Sequence, residues 1–201
     1  MESNSTFSEE FSGPAVAAVF TVEMILALIA NGVVLSITLY QRKSLKQSST
    51  IFFTSLILAH LVLNLLYLPL FIIGLAAGEW IFGSTDEEKR GTCYFGAFIF
   101  WWMVLVISLT LAAISFDRFL FIVKPHLHKR FMRPWVALTL TIAIWILSAV
   151  LSIVHLFGFR LYIDICLSST ADIGFVVYII LLSAIVLGII FVTSFWTFFF
   201  H

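Results

Sequence analysis

Five stretches of this chain each run for 24 residues or more with almost no charged side chain. Residues 15–40 are apolar apart from Glu23, Asn31 and three hydroxyl residues, and residues 50–77 are broken only by Thr54, Ser55, His60, Asn64 and Pro69 after the first threonine. Residues 93–116, 135–159 and 173–200 carry no formal charge at all. A helix of about 20 apolar residues crosses the hydrocarbon layer of a bilayer. In lipid the backbone must satisfy its own polar groups, so only helices and closed barrels span it, and these runs lack the alternating polarity of barrel strands. The pattern predicts an all-α integral membrane protein with five spanning helices at about 15–40, 50–77, 93–123, 135–159 and 173–200. Composition agrees: 62% of residues are hydrophobic and 11% charged, against about 45–50% and 25% in ordinary domains. A soluble enzyme and a disordered chain are both excluded, and a net charge of zero offers no footing for nucleic acid.

The connections set an orientation. Residues 41–49 hold Arg42, Lys43 and Lys46, and residues 124–134 hold Lys124, Lys129, Arg130 and Arg133, with no acid in either. The other set holds Lys89, Arg90 and Arg160 among nine acids, including Glu2, Glu9, Glu10 and Glu79. The positive-inside rule then predicts a multi-pass cell-membrane protein whose first 14 residues are extracellular and whose C-terminus is cytoplasmic. Residues 1–14 are acidic and polar, unlike a cleavable leader, so the first span is expected to act as its own insertion signal. Asn4-Ser5-Thr6 is a glycosylation sequon on the outer side.

Only two cysteines exist, Cys93 and Cys166, and this topology puts both in the oxidising compartment. A bridge would close a loop of roughly 74 residues, worth at most about 4–5 kcal/mol in the chain-entropy model. Two independent thiols are the alternative.

Several short motifs now fall in order. The first span has Asn31-Gly32-Val33-Val34; Trp80-Ile81-Phe82-Gly83 precedes Cys93; Asp117-Arg118-Phe119 follows Cys93 by 24 residues; Pro125 lies seven residues past Arg118; Trp145 sits within the fourth span. In this register the chain resembles the first five helices of a rhodopsin-like (class A) G protein-coupled receptor, with residues 15–201 forming a seven-helix receptor domain truncated after its fifth helix. The resemblance implies a Cys93–Cys166 disulfide, helix-packing roles for Asn31 and Trp145, and a switch at Asp117, Arg118 and Phe119 in which Asp117 holds Arg118 until activation frees it for a heterotrimeric G protein. Pro125, His126 and Leu127 then form the loop that meets the G protein. His126 stands where the family places a large apolar residue, so Leu127 is expected to dock, with the histidines on a solvated basic face.

The resemblance also places a ligand cavity in the outer half of the bundle, with Phe100, Trp101, Val104, Tyr67 and Tyr178 as its lining. Phe100 occupies the position of the aspartate that anchors amines in some receptors, so a lipid, peptide or small neutral ligand is expected. Glu23, Asn64 and His155 are the polar exceptions in the outer halves, and Pro69 is expected to bend the second helix. His60 and Ile107 replace the family's sodium ligands; sodium needs oxygen donors, so no metal or cofactor is expected. His60 reads as a neutral core histidine or a proton-sensitive element.

Two functions follow. One is an orphan G protein-coupled receptor in incomplete copy, lacking helices six and seven. The other is a non-signalling five-helix product that associates with full-length receptors and alters their folding or trafficking. A transporter would show intramembrane ion-path charges or inverted repeats, and no Ser, His and Asp constellation or metal cluster supports an enzyme.

Overall fold

A computed structural model describes residues 12–40, 47–162, 166–170 and 173–199, without the side chains of 155, 157–162, 167–170, 173–175 and 178. Five helical rods long and apolar enough to cross a membrane dominate it. The first is α1 (Gly13–Tyr40). The second is composite: α2 (Ser48–Val62), a π-helical turn (Leu63–Tyr67) and α3 (Leu68–Ala77). The third, α4 (Asp86–Val123), has 38 residues. It therefore extends about 57 Å, well beyond the hydrocarbon layer. A short α5 (Pro125–Phe131) follows, then α6 (Pro134–Gly158) and α7 (Ile173–Phe199). Between the last two lies an antiparallel hairpin, β1 (Phe159–Tyr162) and β2 (Leu167–Thr170), paired from Phe159 with Thr170 to Tyr162 with Leu167. The fold is thus an all-α membrane bundle with one small hairpin that hydropathy alone does not reveal.

Local chemistry explains the limits of these rods. Pro69 has no N–H to give, and the second rod accommodates it by widening to a π-turn just before, then restarting with Pro69 in the first turn of α3. A π-turn thus marks the place where Pro69 was expected to bend the helix. α4 begins seven residues before the uncharged run because Thr85 caps it, its hydroxyl accepting from the Glu88 N–H, while Glu88 reaches back to the Ser84 N–H at 2.7 Å. Asp86, Glu87 and Glu88 fill its first turn, where negative charge suits the helix dipole. Pro125 ends α4 and opens α5 at the position where a missing N–H costs nothing. The segment after Lys124, expected as a loop, is a helix for this reason.

α4 is the central rod, packed against α2, α6 and α7, while α1 lies against α2 and α3. Ala59, Ile99, Met103 and Val106 form the core, joined by Ile107, Trp102, Ile144 and Trp145. Small residues allow close approach: Ala137, Ser148 and Ser152 of α6 are fully buried, and their spacing puts them on one helix face. α1 buries only Ala17, and the apolar side chains of α7 are largely exposed, as lipid-facing helices require.

Candidate functional site

At one end, the sequence Trp80-Ile81-Phe82-Gly83 builds a plug between the second rod and α4. Trp80 is 4% exposed. Its indole N–H donates to the Thr92 hydroxyl at 2.9 Å, and that hydroxyl donates to the Phe82 carbonyl at 2.6 Å. Gly74 leaves room for the ring, since an added Cβ would lie 3.2 Å from it. Gly83 has φ of +137°, and a Cβ there would come within 2.5 Å of the Lys89 nitrogen. One helical turn along, Cys93 is fully buried and forms a disulfide with Cys166. Cys166, with φ of +46°, precedes β2, so the bridge ties the hairpin to the start of α4.

Two turns further, the aromatic residues expected to line a cavity form two groups. Tyr67 and Phe100 pack with ring centroids 4.9 Å apart, and Tyr67 stacks on Phe71. Trp101 and Val104 instead line a cleft of about 290 Å³ between α4 and α7, with Ser108, Ser183 and Val186. Phe100 meets Trp101 edge-on at 5.4 Å. Adjacent positions on a helix diverge, which separates the two sets. The side chains of Tyr178, Arg160 and His155 lie outside the described residues, as do Asn4 and its sequon.

Midway, Trp145 ties three rods together. Its indole N–H donates to Ser55 Oγ at 2.8 Å, and its carbonyl accepts from the Trp102 indole at 3.1 Å. The two indoles meet edge-on at 5.7 Å. Asn31 donates to its own helix at Ala27 O, 2.8 Å. It also lines a cleft between α1 and the second rod with Glu23, His60 and Asn64.

At the opposite end, Asp117 is 1% exposed. Its Oδ1 accepts from Ser48 Oγ at 2.9 Å and lies 3.0 Å from His128 Nε2, and its Oδ2 accepts from Ser49 Oγ at 2.6 Å. The expected hold of Asp117 on Arg118 is corrected: the carboxylate is taken by the start of α2 and by α5. Neighbouring helical side chains point about 100° apart, so Arg118 faces out, its guanidinium 6.0 Å over the Phe53 ring. It borders a cleft of about 390 Å³ with Gln47, Thr50, Phe121 and Met132. Phe119 stacks on Phe116 at 6.4 Å. In α5, Pro125 and His126 are exposed and Leu127 is half-buried. Treating both histidines as solvated missed His128; its place one turn into a proline-started helix, beside the end of α4, was the available signal.

A bundle of apolar rods, with a hairpin stapled to one end of the central rod and a buried carboxylate at the other, defines a multi-pass helical membrane protein. The family model "7 transmembrane receptor (rhodopsin family)" matches residues 30–200, and the chain belongs to that family, whose members are receptors and not enzymes. Similar proteins include C-X-C chemokine receptor type 3 of Rattus norvegicus, 36% identical over 146 residues, covering 69% of this chain and 35% of the relative. Tachykinin-like peptides receptor 86C of Drosophila melanogaster is 35% identical over 136 residues, covering 68% and 25%. G-protein coupled receptor 161 of Xenopus tropicalis is 28% identical over 166 residues, covering 79% and 31%. The chain spans about a third of the length of the curated relatives it matches.

Proposed function

We propose that this chain carries the ligand-facing and G protein-facing parts of a rhodopsin-like receptor, with the Cys93 end extracellular and the Asp117 end cytoplasmic. The observation that carries the reading is the split at Asp117 and Arg118. Three donors hold the carboxylate, while the guanidinium borders an open cleft at the end of the bundle. An arginine so placed, beside the basic α5, can meet acceptor groups at the end of a partner helix. Charge bias in the connections supports the orientation.

The ligand face comprises two neighbouring groups below the stapled hairpin, Tyr67 with Phe100 and, on the α7 side of α4, Trp101 with Val104. Helix α4 offers no carboxylate there, which favours a peptide or an apolar molecule over an amine at this face. Relatives named as receptors for chemokines and tachykinin-like peptides support the peptide class.

The test is retention of a nucleotide-free heterotrimeric G protein by proteoliposomes holding the chain. The expected result is specific retention, weakened about tenfold in Arg118→Ala. Equal retention by empty liposomes or by the variant refutes the coupling role. Surface staining of an N-terminal tag on unpermeabilised cells tests the orientation.

A further inference from the structure

The corner where α5 hands over to α6 is strongly basic. Lys124, Lys129, Arg130 and Arg133 are all exposed there. From Arg118 to Ile163 the sequence holds no acid. Among the described residues, Asp117 is the one carboxylate at this end, and it is buried and held by Ser48, Ser49 and His128. Glu23 lies within α1, and Glu79, Asp86, Glu87 and Glu88 sit at the opposite end of the bundle. The two ends therefore differ in charge: Lys89 and Arg90 stand among acids, whereas the α5–α6 cations stand among none.

Two large rings stand among these cations. Phe131 is 53% exposed and Trp135 65%, and the Arg130 guanidinium lies 5.5 Å over the Phe131 ring. Rings in contact with hydrocarbon and cations at headgroup level are the pairing that a membrane surface favours. Trp135 also fixes the depth. With Leu138, Ile142, Ile146 and Val150 it forms an exposed stripe along α6, spaced by three or four residues and so on one helix face. The buried residues Ala137, Ser148 and Ser152 fall on another. The stripe starts in the first turn of α6, so hydrocarbon ends near Trp135. Arg133, Arg130 and Lys129 precede that residue by two, five and six positions, which puts them in the headgroup layer. Their level is set by α6 itself, whatever covers the other helices.

We propose that the α5–α6 corner is a surface for anionic phospholipid, on which Lys124, Lys129, Arg130 and Arg133 gather acidic headgroups while Phe131 and Trp135 sit among the adjoining acyl chains. A cation beside an anionic bilayer strengthens attraction about fivefold. The four act by summed attraction, so no two of them need meet one phosphate. The exposed rings, continuous with the apolar stripe of α6, favour lipid over an acidic protein segment. The surface lies apart from Arg118 and its cleft and goes beyond the receptor reading, which makes no use of residues 129–135. It holds for either orientation of the chain in the membrane.

The test places the full chain in nanodiscs holding equal amounts of phosphatidylserine and phosphatidylcholine and counts the lipids that stay with it on transfer to detergent. Phosphatidylserine should be retained at least about fivefold over phosphatidylcholine. Combining Lys129→Gln, Arg130→Gln and Arg133→Gln should remove most of that preference, whereas Lys89→Gln with Arg90→Gln, at the acidic end, should leave it unchanged. Equal retention of the two lipids, the result if this surface belongs to a protein partner or to water, overturns the proposal. A preference that survives the triple variant overturns it too. Circular dichroism and an intact Cys93–Cys166 bridge certify each variant. On the unaltered chain, a phosphatidylserine bearing a diazirine close to its headgroup should label the α5–α6 corner; labelling confined to other parts of the chain also overturns it.

Discussion

His128 Nε2 lies 3.0 Å from Asp117 Oδ1, so the short helix α5 is closed onto a buried carboxylate that Ser48 and Ser49 also hold. One acid thereby gathers the starts of two helices around the end of α4. Arg118 is left to the Phe53 ring and the open cleft beside it.

Replacing Asp117 by Ala strands three donors at once, and a buried donor left unmade costs about 1–3 kcal/mol. Thermal unfolding in detergent should show a clear loss for Asp117→Ala and a smaller one for Asp117→Asn, which keeps an acceptor oxygen. Hydrogen exchange should rise in α5 for His128→Ala. An α5 as protected as before would show that this contact does not anchor it.

The Trp145 to Ser55 bond is suited to a double-mutant cycle. Ser55→Ala leaves a half-buried indole N–H without its acceptor, and Trp145→Phe removes the donor. The coupling energy should be about 0.5–1.5 kcal/mol. A coupling near zero would mean the bond adds nothing beyond packing.

Two glycines near the start of α4 should respond in opposite senses. Gly83→Ala forces a Cβ to within 2.5 Å of backbone at a positive φ, which should cost about 1–3 kcal/mol for the strained conformation alone. Gly91 is helical, with nothing within 4 Å of an added Cβ, so Gly91→Ala should stabilise by about 0.5–1 kcal/mol. Paired unfolding curves check both.

The bridge can be tested by thiol labelling. The native chain should take up maleimide only after reduction, and Cys93→Ala should expose one thiol. Closing residues 73 apart is worth up to about 4–5 kcal/mol in the chain-entropy model, so the variant should unfold at lower temperature. Labelling of the unreduced protein would contradict the bridge.

The amino-acid sequence by itself determined the rods and their class. Apolar length without charge can be satisfied in lipid only by a helix, so the five rods, their approximate ends and the family register were legible from residues such as Asn31, Trp80, Asp117 and Trp145. With only Cys93 and Cys166 in the chain, the one intramolecular bridge was legible too. Features that depend on backbone chemistry were only half legible. Pro69 announced a distortion but not its form as a π-turn, and Pro125 marked a boundary without saying that a helix follows.

Only the tertiary structure decided who meets whom. The family resemblance implied that Asp117 holds Arg118, yet successive side chains on a helix diverge by about 100°, and the carboxylate finds serines 68 and 69 residues away. The same divergence sends Phe100 to Tyr67 and Trp101 to the cleft facing α7, although the two rings still meet edge-on. Glu23 and His60, 37 residues apart in the chain, come to line one cleft because α1 packs along the second rod. Periodicity along a helix records which face is apolar; it carries no label for the helix that will cover that face.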